Sequence, residues 1–219
     1  VLVQELLNAA TLSHLGLDKA IRLEDNLKKK DRVKLAPKQQ GLNIEGLSAS
    51  ADGRILYIGL RNPFSYDKAI VIPLNNARNV IEKAAKPLFG RPLLWDLGRR
   101  GIRSMEYSSY HKAFLVVAGP IDDETDFAVY RWSGKDHDNP TFARSLNVGL
   151  PHFTPEALIP FADKAGVLLL SDDGAVKVKI AGPHECLDED EYDADSRTCA
   201  QKYLVEQNKK TFRAILFHL

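Results

Sequence analysis

Glu45, Arg103 and Glu156 stand at matching places in three segments of this chain, 58 and 53 residues apart. Residues 44–59, 102–117 and 155–170 align without gaps through their turns. Each segment opens on an apolar residue or proline followed by one of these charges, then passes through a polar turn into a strongly apolar stretch. Charges of both signs at equivalent positions could do two kinds of chemistry. Carboxylates that converge beside an amide suit a hard divalent cation such as Ca²⁺, and Glu45, Glu156 and Asp172 are the candidate metal ligands. Guanidinium groups grip phosphate or carboxylate oxygens in pairs. Arg61 and Arg103, with Asn62 beside them, are therefore the candidates for holding a small anionic molecule. A cation held nearby would polarise an ester and acidify its bound water. The structural alternative stays open: two arginines among several carboxylates also suit ion pairs between neighbouring sheets.

These side chains meet only if hairpins position them. In an antiparallel hairpin the residue opening the first strand lies beside the residue closing the second. A turn at Asp52-Gly53 sets Glu45 beside Leu60, Arg61 and Asn62. A turn at 163–166 sets Glu156 beside Asp172 and Asp173, and one at 110–112 sets Arg103 beside Gly119 and Pro120. Hairpins recurring at about 50 residues predict β-propeller blades, about three to four of them in residues 41–219. The expected fold is thus all-β, a β-propeller preceded over residues 1–40 by a short helical segment and a basic linker or insertion. A β-sandwich with chance similarity is the other fold that fits. In a propeller the hairpin ends converge on the central channel, giving a rim of Glu45, Arg61, Asn62, Arg103, Glu156, Asp172 and Asp173. Few propellers close with so few blades, so the ring is expected to be incomplete, with blades upstream of Val1 or on another chain.

Composition sets the outer bounds. The 219 residues carry 30 Lys+Arg against 29 Asp+Glu, a formal charge of +1, with 44% hydrophobic and 27% charged residues. That is an ordinary globular balance, without the net charge that drives binding to nucleic acid or an anionic membrane. The longest apolar run, 113–118, is far below the roughly 20 residues of a membrane span. The chain has no leader pattern and no initial Met, so it is read as processed or truncated. The lysine-rich stretch 25–34 is read as a solvated charge run, and Val80 to Lys86 as one short helix. Cys186 and Cys199, the only two cysteines, bracket a polar loop. They either close a disulfide worth about 3 kcal/mol, implying a periplasmic or secreted setting, or are two unrelated thiols of a cytoplasmic protein. His111 sits in a turn and is read as solvated. The acidic loop 188–195 lacks the central Gly and terminal Glu of an EF-hand. No serine-nucleophile elbow, dinucleotide or Walker loop, or zinc motif is present.

Several segments together resemble a known family. They are Leu42-Asn-Ile-Glu-Gly-Leu47, Gly59-Leu-Arg-Asn-Pro63, Leu94-Trp-Asp-Leu-Gly98 with Arg100-Gly-Ile-Arg103, Ala118-Gly-Pro120, Tyr130-Arg-Trp-Ser-Gly134, Pro155-Glu-Ala-Leu158, Leu170-Ser-Asp-Asp-Gly174 and Phe212-Arg-Ala-Ile-Leu216. In this order they resemble a bacterial family defined as a domain of unknown function, itself similar to the esterase-like propellers of the phytase type. The resemblance spans residues 42–216. It implies a propeller, with members longer on the N-terminal side, and assigns no catalytic residue. More distantly, Glu45-Gly and Ser171-Asp-Asp resemble the metal-binding segments of gluconolactonase-type propellers, which implies a divalent cation at Glu45, Glu156 and Asp172. The expected function is a rim site for a metal or small anion, with metal-assisted hydrolysis of ester or phosphoester bonds as its enzymatic form. The rival expectation is a non-enzymatic module that docks proteins on its loops.

Overall fold

A computed structural model of the chain describes residues 2–21, 41–121 and 125–219. The basic stretch 25–34 lies outside the described residues. The fold is mostly β, as expected; the described residues form four antiparallel sheets, few helices and no closed barrel. The first sheet runs β1 (Asn43–Ala49), β2 (Leu56–Asn62), β3 (Ala69–Leu74), β4 (Leu93–Trp95), each strand beside the next. The second repeats that order with β5 (Gly101–Ser108), β6 (Ala113–Gly119), β7 (Ala128–Trp132), β8 (Thr141–Ser145). The third has β9 (Pro155–Pro160), β10 (Gly166–Ser171) and β13 (Ala214–His218), with β10 in the middle. Between β10 and β13 a small hairpin, β11 (Lys177–Lys179) and β12 (Thr198–Ala200), forms its own sheet. A disulfide joins Cys199 of β12 to Cys186, and the pair packs with Leu204.

The three larger sheets stack, and the middle strands of the first two are apolar because each face meets a neighbour. Tyr57, Trp95, Phe114 and Trp132 fill the layer between the first and second sheets. Leu115, Val117 and Val129 meet Leu158, Val167 and Leu169 between the second and third. The outer face of the first sheet is closed by the N-terminal segment. Leu6 of α1 (Leu2–Asn8), Leu12 and Leu15 of the following turn, and Leu17 of α2 (Leu17–Ala20) pack onto Ile58, Leu60, Ile70 and Ile72. A further helix, α3 (Ala77–Lys83), starts three residues earlier than the sequence suggested. Asn76 explains the shift: its amide donates to the carbonyl of Lys86 and its side-chain oxygen accepts from the amide of Leu88. That clamp closes the helix early, and Ala84 leaves it in a left-handed conformation.

Candidate functional site

In each of the three sheets the first strand carries a β-bulge at the charged residue. Ile44 faces Leu60 and Gly46 faces Gly59, so Glu45 is the extra residue. Ile102 faces Ala118 and Ser104 faces Val117, leaving Arg103 extra. Pro155 faces Ser171 and Ala157 faces Leu170, leaving Glu156 extra. A bulged residue leaves the ladder's alternation and is re-aimed by the local twist. Here all three are aimed at one another, because β1 packs on β5 and β5 on β9. Two glycines permit that approach. Gly46 and Gly59 face each other and form a hollow for Ile102, whose Cγ2 lies where a Cβ on either would come within 2.7 and 2.9 Å.

The resulting cluster alternates in sign. Arg61 Nη1 lies 3.3 Å from Glu45 Oε1, and Arg103 Nη1 lies 3.4 Å from Glu45 Oε2 and 2.5 Å from Glu156 Oε1. Arg103 also donates through Nη2 to the carbonyl of Pro120, as Arg61 does to that of Ile121. Its side chain is only 4% exposed, and its guanidinium stands 5.5 Å over the Phe127 ring. Burial is the main force lowering the Arg103 pKa; the neighbouring Arg61 adds to it, and Glu156 and Glu45 oppose it. Burial likewise pushes Glu156 up to about 7, against the pull of Arg103 and with the help of Glu45, whose carboxylate is close enough to share its proton. The Nε atoms of both arginines are buried with no hydrogen-bond partner. Arg61, Arg103 and Glu156 line a cleft of about 680 Å³, together with Phe127, His152, Thr154, Asp172 and Lys177.

A family model described as a protein of unknown function (DUF3616) matches residues 4–166, well over half of the chain. The chain belongs to the DUF3616 family. No curated protein matches it. The matched segment of this DUF3616 chain takes in the N-terminal helices, the first two sheets and β9, so Glu45, Arg61, Arg103 and Glu156 all fall inside it. Asp172 and the disulfide lie beyond. Other members of the expected rim are placed differently. Asn62 is 1% exposed and its side-chain amide donates to the carbonyl of Gly41, tying the approach to β1 onto the end of β2. Asp172 reaches the cleft wall, where its Oδ1 accepts from the amide of Gly174 at 2.8 Å. Among the described residues no three His, Cys, Asp or Glu side chains gather as a metal-binding group.

Asp173 does not join the rim; it anchors β13. Its carboxylate takes Arg213 Nε at 2.9 Å, Arg213 Nη2 at 2.7 Å and the hydroxyl of Ser171 at 2.7 Å. Arg213 then ties down the carbonyls of Pro151 and His152. The sequence shows no sign of this partnership, because the two residues are 40 apart. In Asp173→Ala, Arg213 loses its counter-charge, but its guanidinium is more than a third exposed and can be hydrated, so the expected loss is about 2 kcal/mol of stability, the worth of the charge-assisted hydrogen bonds removed. Denaturant titration checks it. The Arg213 contact holds the Asp173 carboxyl below its usual range, so its contribution is present above pH 3.8, the unfolded value, and fades only in stronger acid. His111 is also engaged: its Nε2 lies 3.1 Å from the carbonyl of Ala165, a bridge between the turns of the second and third sheets.

Proposed function

We propose that the three stacked sheets are successive blades of a β-propeller of the esterase-like type, and that their converging bulges bind a small anion. The fold part draws on the equivalent first strands, which pack in series with their bulges facing inward. The observation that carries the anion reading is the pair Arg61 and Arg103: two guanidinium groups bordering one cleft, with buried Nε donors that lack a partner. Unsatisfied buried donors are rare and point to a group that completes them. With a proton on the Glu45–Glu156 pair the four groups carry net positive charge, and an arriving phosphate or carboxylate offsets it. Glu156, at the cleft wall and titrating near neutrality, suits the general acid of an ester or phosphoester hydrolase. Divalent metal is the secondary reading, since Glu45 and Glu156 already answer to arginines. The disulfide supports a periplasmic or extracellular setting. No helix among the described residues is long and apolar enough to cross a membrane.

Sulfate titration tests the reading without a titrating ligand. Sulfate is expected to bind, and Arg61→Met to weaken it at least tenfold, the worth of one charge-assisted contact (~1.4 kcal/mol). Affinity is also expected to fall as pH rises through about 7, where Glu156 ionises, and Glu156→Gln to flatten that profile. The charged groups around Glu156 are Glu45, Arg61, Arg103, Asp172 and Lys177. His152 on the same wall is replaced by Gln in both proteins, so that the carboxyl pair is the group being read. Sulfate affinity indifferent to Arg61→Met sinks the proposal. Added CaCl₂ raising Tm in the wild type, and not in Glu156→Gln, would move the site to the metal reading.

A further inference from the structure

One wall of the anion cleft comes from outside the three stacked sheets. Asp172, Ala175, Val176 and Lys177 line it, and Lys177 opens β11, the first strand of the small hairpin between β10 and β13. Successive side chains of a strand point to opposite faces. Val178 packs into the hairpin's own apolar cluster, so Lys177 is turned the other way, toward the cleft it lines. Its ammonium offsets Asp172, whose carboxylate is the other charge on that wall and repels an anion held by Arg61 and Arg103.

This wall is held differently from the opposite one. Arg61, Arg103 and Glu156 sit on sheets packed through broad apolar layers. The insert leaves after Asp173 and returns at Arg213, 40 residues on. Among the described residues its cluster buries Cys186, Cys199 and Leu204, so two of the three are the disulfide itself. Its strands have three residues each, and so do its four helical turns. Neither a lone two-stranded ribbon nor single turns of this kind are stable by themselves. Cys199 lies on β12 directly opposite Val178, the residue after Lys177, so the disulfide fixes the strand that β11 pairs with. We propose that this insert is a redox-controlled wall of the anion cleft, holding Lys177 as a third cationic contact only while Cys186 and Cys199 are joined. The inference rests on the anion reading of the cleft. Reduction by a dithiol breaks the S–S bond; two electrons and two protons leave both cysteines as thiols, and the reductant closes to a cyclic disulfide. The insert then opens locally, and Lys177 leaves the cleft. Asp173 and Arg213 still clamp its base, so the three sheets keep their packing.

Sulfate titration decides it, on oxidised wild type, wild type reduced with dithiothreitol, Lys177→Met, and the double variant Cys186→Ser, Cys199→Ser. The reduced protein and each variant are expected to bind sulfate about threefold more weakly than the oxidised wild type, the scale of one exposed charge. Reducing Lys177→Met should then change nothing further. Hydrogen exchange supplies a readout without any anion. On reduction, residues 177–179 and 198–200 should lose protection while 56–62 and 113–119 keep it. Equal sulfate affinity in the oxidised and reduced forms overturns the inference and leaves the anion site standing. Sulfate bound by neither form overturns the anion reading, and this inference with it. Exchange in β11 that ignores reduction overturns the inference as well, as does a loss on reduction as large in Lys177→Met as in the wild type.

Discussion

Gly101→Ala is expected to cost at least about 3 kcal/mol and to abolish sulfate binding in whatever fraction stays folded. A Cβ at residue 101 would sit 2.1 Å from the carbonyl oxygen of Arg61 and 2.8 Å from its carbon. Both are backbone atoms of a paired strand, so no rotamer change relieves the overlap, and the cost falls at or above the ~1–3 kcal/mol of ordinary overpacking. The two strands must separate, and the separation falls on the residue pair that aims Arg61 at Glu45 and Arg103 at Glu156. For a chain of this length 3 kcal/mol corresponds to a Tm lower by about 10 °C. Gly53→Ala is the control. Gly53 has a φ of +70° with nothing within 4 Å of a new Cβ, so it costs only the ~1 kcal/mol or so of a left-handed Ala, with the site intact. Equal losses in the two variants would mean that the first and second sheets do not approach as described.

How far the sequence reveals this site depends on which contacts are local. Hairpin pairing is local, so the turns at Asp52-Gly53 and 110–112 suffice to place Glu45 near Arg61 and Arg103 near Pro120, and both contacts are present. The bulges are harder to read. An extra residue leaves no mark in composition, yet it turns Glu45, Arg103 and Glu156 toward a common point instead of along their strands. The glycines on which this depends, Gly46, Gly59 and Gly101, are visible in the sequence, but their reason lies in the close passage of another sheet. Asn62 and Asp173 show the limit. Each stands at the expected end of its hairpin, and each is drawn off by a partner the pattern does not reveal: Gly41 for the one, Arg213 for the other. The sequence predicts a short helical segment at the N-terminus; the burial of its leucines against β2 and β3 is a long-range packing result.

Removing the central cation should have the largest effect, and one that depends on pH. In Arg103→Met the side chain keeps its length and apolar body, while Glu45 and Glu156 lose the group that faces both. Two partly buried carboxyls are then left with Arg61 alone, so one-sided removal is expected to cost about 3–5 kcal/mol above pH 7. The sign of the pH dependence follows from the wild type. Glu156 titrates at about 7 when folded, against 4.5 for an ordinary glutamate. The folded chain therefore holds a proton that the unfolded chain has released between those values. Its contribution to stability is complete below 4.5 and is lost as pH rises through 7. Without Arg103 the ionised pair is costlier still and the window extends upward, so the deficit of Arg103→Met relative to wild type should shrink on acidification toward pH 5. In the double variant Arg103→Met, Glu156→Gln the second charge is gone, and at pH 8 it should recover roughly half of the loss or more, because the cost lies in the stranded carboxylate rather than in lost packing. Urea titrations of the three proteins at pH 5 and pH 8 measure all of this. A deficit that is the same at both pH values, or one that Glu156→Gln deepens, would show that Arg103 acts through its contacts with Pro120 and Phe127 and that the carboxyl pair is not held by its charge.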